Sequence, residues 1–311
     1  MGQFIKIPGV TPGNDRPKVD LVDSIAPDSG GLLLIDAKHP VKPAFSTGVP
    51  SNGSTVANVL SAQAASLLGV TEDAVTTSLT VSLMTATSSS STGRLERTAK
   101  GGLHVIMPTG TVDAALGVAI PMPAAIVNYL AANPGHAIFA SLWGYLTRPT
   151  DGTQGWAAAD SGDPSGAGSG SSLLFSFGND GTNYPAGSTR VGFRRAPAGA
   201  WRPSGNANIA PSPFILNNGL TGYTGTVGAA RRGKAFAVGA SGTQFRPFPG
   251  AATGGNPSGV FYRFYMEDLT VSGRTYAQLD TLDFAAYTAQ VLTAGGRYYG
   301  DTYTSPSAVA A

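Results

Sequence analysis

The stretch Ala137-Ile-Phe-Ala-Ser-Leu-Trp-Gly-Tyr-Leu-Thr147 decides how this chain is read. It is apolar at odd and even positions alike over the length of one strand. That pattern predicts a strand buried on both faces, central to packed sheets. Further strands are expected outward from it at 103–107, at 172–178 (Ser-Leu-Leu-Phe-Ser-Phe-Gly), at 190–194, at 234–239 and at 260–267. In 190–194, Val191 and Phe193 share one face and leave Arg190 and Arg194 on the other. In 260–267, strict alternation puts Val260, Tyr262, Phe264 and Met266 on one face, with Arg263 and Glu267 opposite. Long Gly/Ser/Ala/Pro loops at 157–171 and 196–213 separate these runs. Strand, loop, strand at irregular spacing predicts an antiparallel sandwich.

Ahead of this region the chain reads differently. Residues 1–50 carry seven prolines, each removing a backbone donor, and predict an extended anchoring arm with one strand-like island, Gly31-Leu-Leu-Leu-Ile-Asp36. Residues 51–100 predict a small helix and strand segment. Its helix runs over 54–69, with Ser54 as N-cap and Gly69 at its end. A weakly alternating strand over 74–84 follows, then a Ser/Thr-rich linker over 85–93 and a solvated charge cluster over 94–100. The sandwich takes up 101–311 and includes one helix. Thr275-Tyr-Ala-Gln278 has the capping-box form, Leu279, Leu282, Ala286 and Ala289 mark a face, and Gly295-Gly296 closes it.

Composition narrows the function classes. Charged residues make up 12% of 311, against about 25% in ordinary soluble domains, while 42 glycines and 22 prolines fit many short strands and turns. The chain has no cysteine, which excludes a disulfide scaffold and thiolate chemistry. The opening MGQFIKIPGV lacks the apolar run of a signal peptide, and Lys6 stands where N-myristoylation requires Ser or Thr. The apolar run 114–127 is short and broken by Pro121 and Pro123. A soluble protein without membrane insertion is expected.

Catalytic patterns are sparse. His39, His104 and His136 have no acid or second ligand nearby in sequence at metal spacing, so no metal or other cofactor is expected. Gly168-Ser-Gly170 lies in a low-complexity loop, and Gly233-Lys234 follows no phosphate-loop frame. Glu267 and Asp268 are adjacent on a strand and point to opposite faces, which prevents them from pairing as a glycosidase would require. Pairing either with Asp280 or Asp283 has no further support. Asn179, Asp180 and Asn183 are explained by an Asx turn more simply than by calcium. The expectation is a protein that is not an enzyme.

Charge segregation is the remaining lead. Between Asp180 and Glu267 there is no carboxylate, yet nine Lys and Arg residues occur; the other eleven bases share the rest of the chain with all eighteen acids. A net charge of +2 hides this cationic interval. Within it, Arg190, Arg194, Arg195 and Arg202 flank Trp201, while Arg231 and Arg232 follow Tyr223. Arginine forks bind carboxylate or phosphate, and an aromatic stacks on a sugar face, so these eight residues form a candidate glycan or anion site. Acidic surfaces of neighbouring subunits would satisfy the same arginines. Nucleic acid is not expected, since no recognition module is visible.

Ile138-Phe-Ala-Ser-Leu-Trp-Gly-Tyr-Leu-Thr-Arg-Pro-Thr150 resembles the opening strand of laminin-G-like, concanavalin A-like jelly rolls. The run 173–178 looks like the strand that follows. Phe261-Tyr-Arg-Phe-Tyr-Met-Glu-Asp-Leu-Thr-Val-Ser-Gly-Arg-Thr-Tyr-Ala-Gln-Leu279 resembles that family's last strand and the helix after it. The likeness covers about 103–295 and implies a jelly-roll body. A cysteine-free chain with a proline-punctuated arm and a β-rich C-terminal part is also similar to structural proteins of tailed-bacteriophage virions. That likeness implies a homo-oligomeric decoration, collar or tail-associated protein, assembled in the host cytoplasm. Its partners would be other virion proteins, copies of itself and, for an adhesion module, anionic host surface polysaccharide.

Overall fold

The computed structural model describes residues 23, 25–82, 84–85, 93–108, 116–148, 156–160, 173–177, 212–221, 234–239 and 258–308. Among the described residues the chain is mostly β. In order come β1 (Gly31–Asp36), β2 (Thr55–Val56), α1 (Ser61–Leu68), β3 (Thr77–Ser78), β4 (Thr80–Ser82), β5 (Met84–Thr85), β6 (Gly93–Arg97), β7 (Leu103–Ile106) and β8 (Gly117–Pro121). Then follow α2 (Ala124–Ala132), β9 (Ala137–Arg148), β10 (Trp156–Asp160), β11 (Leu173–Phe177), β12 (Ser212–Thr221), β13 (Lys234–Gly239) and β14 (Ser258–Asp268). Helices α3 (Leu269–Ser272) and α4 (Tyr276–Tyr287) close the series, and α4 runs on into a single π turn, Thr288–Leu292.

The larger sheet has the order β12-β9-β14-β7-β6-β5, with β1 also paired to β14; the smaller has the order β11-β10-β13-β8-β4. The pairings are antiparallel except for β5 with β6. Both sheets feed one apolar core. Leu33, Leu103, Leu142, Phe261 and Phe264 of the larger sheet join Val118, Ile120, Phe236 and Val238 of the smaller. Phe236 and Phe261 touch across the layers with centroids 5.1 Å apart.

The larger sheet is covered on its other face as well. β9 alternates as its sequence predicts: Ile138, Ala140, Leu142 and Leu146 enter the shared core, while Phe139 and Trp143 face away. Strict alternation fails in β14. The register against β9 shifts between Phe261 and Arg263, so Tyr262 is an extra residue. Beyond it the faces exchange. Phe261, Phe264 and Met266 line the core, and Val260, Tyr262 and Tyr265 lie with the clusters on the outer face. The expected grouping of Val260 and Tyr262 with Phe264 and Met266 is therefore corrected by one bulge.

The two ends of the described chain clothe that outer face. Ile25 packs with Leu34, Phe139, Tyr265, Leu269 and Leu279. Tyr287, Val291 and Tyr298 pack on Trp143, Ile215, Val260 and Tyr262. Of the expected 1–50 arm, residues 1–22 and Ser24 lie outside the described residues. From Ile25 onward this stretch belongs to the chain's own body, and Leu32 through Ile35 are wholly buried.

Smaller expectations change too. The helix begins at Ser61 because Thr55–Val56 pairs with Thr77–Ser78 instead; Gly69 caps it with φ +68°. The stretch expected as one strand from 74 breaks into a 3₁₀ turn, Glu72–Val75, and short strands. The supposed solvated cluster 94–100 contains β6, whose Leu95 and Glu96 are buried; alternation sends the leucine into the core and the acid to the outer face. The capping box of α4 forms as read. Its packed face, however, carries Leu279, Asp280, Asp283 and Tyr287, and Leu282 is exposed, because the sheet beneath presents polar partners.

Candidate functional site

Arg190, Arg194, Arg195, Trp201, Arg202, Tyr223, Arg231 and Arg232 all lie outside the described residues, as do Asn179, Asp180 and Asn183. What the fold does assemble is three buried polar centres around the larger sheet, two on its outer face and one, at Asp268, on the core side of β14.

The first joins β6, β7 and β9. Glu96 pairs with His104 across the β6–β7 ladder, and Glu96 Oε1 lies 2.8 Å from His104 Nδ1. His104 Nε2 lies 2.9 Å from Thr147 Oγ1. Burial pushes the His104 pKa down against the pull of Glu96, so the imidazole is neutral. The tautomer that serves both contacts carries its proton on Nδ1, donates it to Glu96 and accepts the Thr147 hydroxyl. Burial would raise Glu96, but hydrogen bonds from His104 and Thr304 outweigh it and hold the carboxyl at about 2. Arg94 Nη2 stands 2.9 Å from its Oε2. Carboxylate, imidazole and hydroxyl follow the order of a nucleophilic triad. Yet His104 is fully buried, Tyr303 lies over its ring at 5.0 Å, and the Thr304 amide and hydroxyl take up Glu96 at 2.8 and 2.7 Å. The arrangement clasps the C-terminal segment to the sheet.

The second centre is Asp268, fully buried at the end of β14. Its Oδ1 accepts the Thr270 and Val271 amides, capping α3, and its Oδ2 accepts Tyr129 Oη at 2.7 Å and faces His136 Nδ1 at 2.5 Å. Next to it Glu267 points the other way, where it is bound by Arg274 and by the Tyr265 hydroxyl. The two side chains lie on opposite faces of the strand, as alternation predicts. Asp280 is likewise engaged, accepting Asn217 Nδ2 at 2.7 Å.

The third centre is Arg263, buried at 0% exposure with its guanidinium 4.4 Å over the Trp143 ring. Its Nη1 donates to Asp23 Oδ2 at 2.7 Å. Asp283 of α4 accepts the Trp143 indole N–H at 3.1 Å. Asp36 accepts the Tyr298 hydroxyl at 2.6 Å and lies 3.2 Å from Arg297 Nη1.

Sequence reasoning missed all three centres. His104 and His136 are not isolated from acids; their partners stand 8 and 132 residues away. Glu96 and His104 become neighbours only through the β6–β7 register. Among the described residues no group of three His, Asp or Glu side chains is placed to hold a metal. Comparison with protein families, with curated proteins and with solved structures returned no match.

Proposed function

We propose that this chain is a non-enzymatic structural component of a tailed-phage virion, with a concanavalin A-like jelly-roll body displayed on the particle. The observation that carries the reading is how the buried acids around the larger sheet are used. Asp36, Glu96, Glu267, Asp268 and Asp280 each hold a neighbouring segment in place. Both ends of the described chain are sewn to one sheet without disulfides, as suits a protein built to persist on an assembly. Anchoring then belongs to the residues ahead of Asp23, with other virion proteins and further copies of the chain as partners.

The test is immunogold labelling of particles purified from the source culture, with antibody raised against the purified chain. Labelled particles are expected, and label should be lost when residues 1–22 are deleted although the truncated chain still folds. Particles free of the protein, with all of it left in the soluble cell fraction, would overturn the reading.

The segregation of nine Lys and Arg residues with Trp201 and Tyr223 favours a second reading, adhesion to anionic host polysaccharide. A glycan array distinguishes it: binding that disappears in the Arg194→Ala, Trp201→Ala double variant supports adhesion, and no binding removes it.

A further inference from the structure

Arg263 is fully buried, yet only one edge of its guanidinium is matched. Nη1 is bonded to Asp23, while Nε and Nη2 have no hydrogen-bond acceptor. Asp283 is also fully buried; its Oδ1 accepts Trp143, the Ser141 hydroxyl stands near enough to favour its ionised form, and its Oδ2 has no hydrogen-bond partner. Unmatched donors and an unmatched acceptor in one buried centre are costly, and the cost depends on charge. The groups around them come from every neighbouring element. Asp23 lies on the N-terminal segment, Asp36 on β1, His39 on the turn after it, Tyr265 on β14 and Tyr287 on α4, with Arg297 and Tyr298 on the C-terminal turn. Burial pushes His39 down, which leaves it neutral at pH 7, and burial pushes the tyrosines up, with carboxylates adding to it at Tyr265 and Tyr298. Two guanidiniums, Arg263 and Arg297, then face two carboxylates, Asp23 and Asp36. Charge balances when Asp283 carries a proton, and an ionised Asp283 adds a negative charge with no counterpart.

We propose that Arg263, Asp23 and Asp283 form a pH-operated latch on the N-terminal segment. With Asp283 protonated, Arg263 serves Asp23 alone and the segment is held. With Asp283 ionised, two carboxylates compete for one guanidinium, and opening at Asp23 lets the free edge of Arg263 and entering water satisfy Asp283. Burial, opposed by Arg263, pushes the Asp283 carboxyl up to about 7, which brings the switch into the neutral range. The amides that report it are at hand: Ile25 N–H bonds Asp23 Oδ1 at 3.3 Å and Ala26 N–H bonds the Asp23 carbonyl at 2.8 Å. The latch holds whether or not the chain is a virion component.

Hydrogen exchange of the full chain, read on the peptide spanning 23–30 and corrected for the intrinsic pH dependence, tests it. Opening should rise by up to about tenfold per pH unit from pH 5 towards pH 7 and level off above, because the closed form binds the proton more tightly. Asp283→Asn should give a flat, protected profile, and Asp23→Asn an open one at every pH. A wild-type profile that is flat, or an Asp283→Asn profile with the wild-type slope, overturns the latch. Should Asp283→Asn fail to fold, carboxyl ¹³C titration of the wild-type chain decides: an aspartate titrating between pH 6 and 8 is expected, and none doing so refutes it.

Discussion

Asn58 shows how much a single buried amide can organise. It is 0% exposed, and its Oδ1 accepts the amides of Leu34 and Leu60, both at 3.0 Å. Its Nδ2 donates to the carbonyls of Leu32 and Val75, both at 3.1 Å. The side chain thus does the work of a strand along the free edge of β1. Asn58→Ala strands four backbone groups away from water and should cost about 3 kcal/mol or more, read as a lowered urea midpoint at unchanged slope. Nothing in the sequence around Asn58 marks this role, since three of its four partners, Leu32, Leu34 and Val75, lie 26, 24 and 17 residues away. Glu96 carries a second prediction. Its folded pKa, about 2, lies below the ordinary value of 4.5 because hydrogen bonds from His104 and Thr304 outweigh the cost of burial. The stability it contributes is therefore complete above pH 4.5 and is lost as pH falls towards 2. Glu96→Gln should lower stability at pH 7 and flatten the acid side of a pH–melting curve; an acid limb of unchanged steepness would show that the proton goes elsewhere.

Among the elements, β9 and β14 were the most legible, and of these two only β14 was misread. β9 is apolar on both sides because both of its faces are covered, and a run of that kind announces itself in sequence. β14 announces its existence equally well. Its faces do not follow, because an extra residue at Tyr262 exchanges them and a bulge has no reliable signature in a run of Phe, Tyr and Arg. α4 was misread for a related reason: sequence periodicity ranks Leu282 above Asp283, whereas the sheet beneath offers a tryptophan N–H and a buried arginine. The β9–β14 pair also makes a test. A Cβ added at Gly144 would stand 2.5 Å from both Phe214 Cζ and the Val260 carbonyl oxygen. Gly144→Ala should cost about 1–3 kcal/mol by overpacking. Gly135→Ala, where a Cβ meets nothing within 4 Å, should leave the melting temperature unmoved.

For the molecule as a whole, the informative feature is where the chain's described ends meet. Tyr298 stacks on Tyr262 at 4.3 Å, gives its hydroxyl proton to Asp36 at 2.6 Å and accepts the Lys38 amide at 3.0 Å. A residue near the C-terminus thus fastens β1 and the turn after it to β14. Further along, Ala99 N–H bonds the Thr302 carbonyl, Lys100 N–H bonds Asp301, and Thr304 engages Glu96. Sequence reading treated the opening fifty residues as one arm because prolines punctuate all of it. Proline spacing shows that a segment is not helical, but does not reveal what it lies on. Where that segment joins the fold is set by long-range pairs such as Asp36 with Tyr298, 262 residues apart. The C-terminal segment should therefore be sensitive to truncation. Removal from Tyr298 onward strips Asp36, Glu96 and Tyr262 of their partners together and should abolish the cooperative thermal transition. Tyr298→Phe separates the contributions within this clasp: stacking survives while the hydroxyl's bonds to Asp36 and Lys38 are lost, for a cost of about 1–3 kcal/mol. Tyr298→Ala loses both and should cost about 3–5 kcal/mol. Equal melting temperatures for the two variants would mean that the hydroxyl alone holds the C-terminal segment, and that the ring stacked on Tyr262 adds nothing to the join.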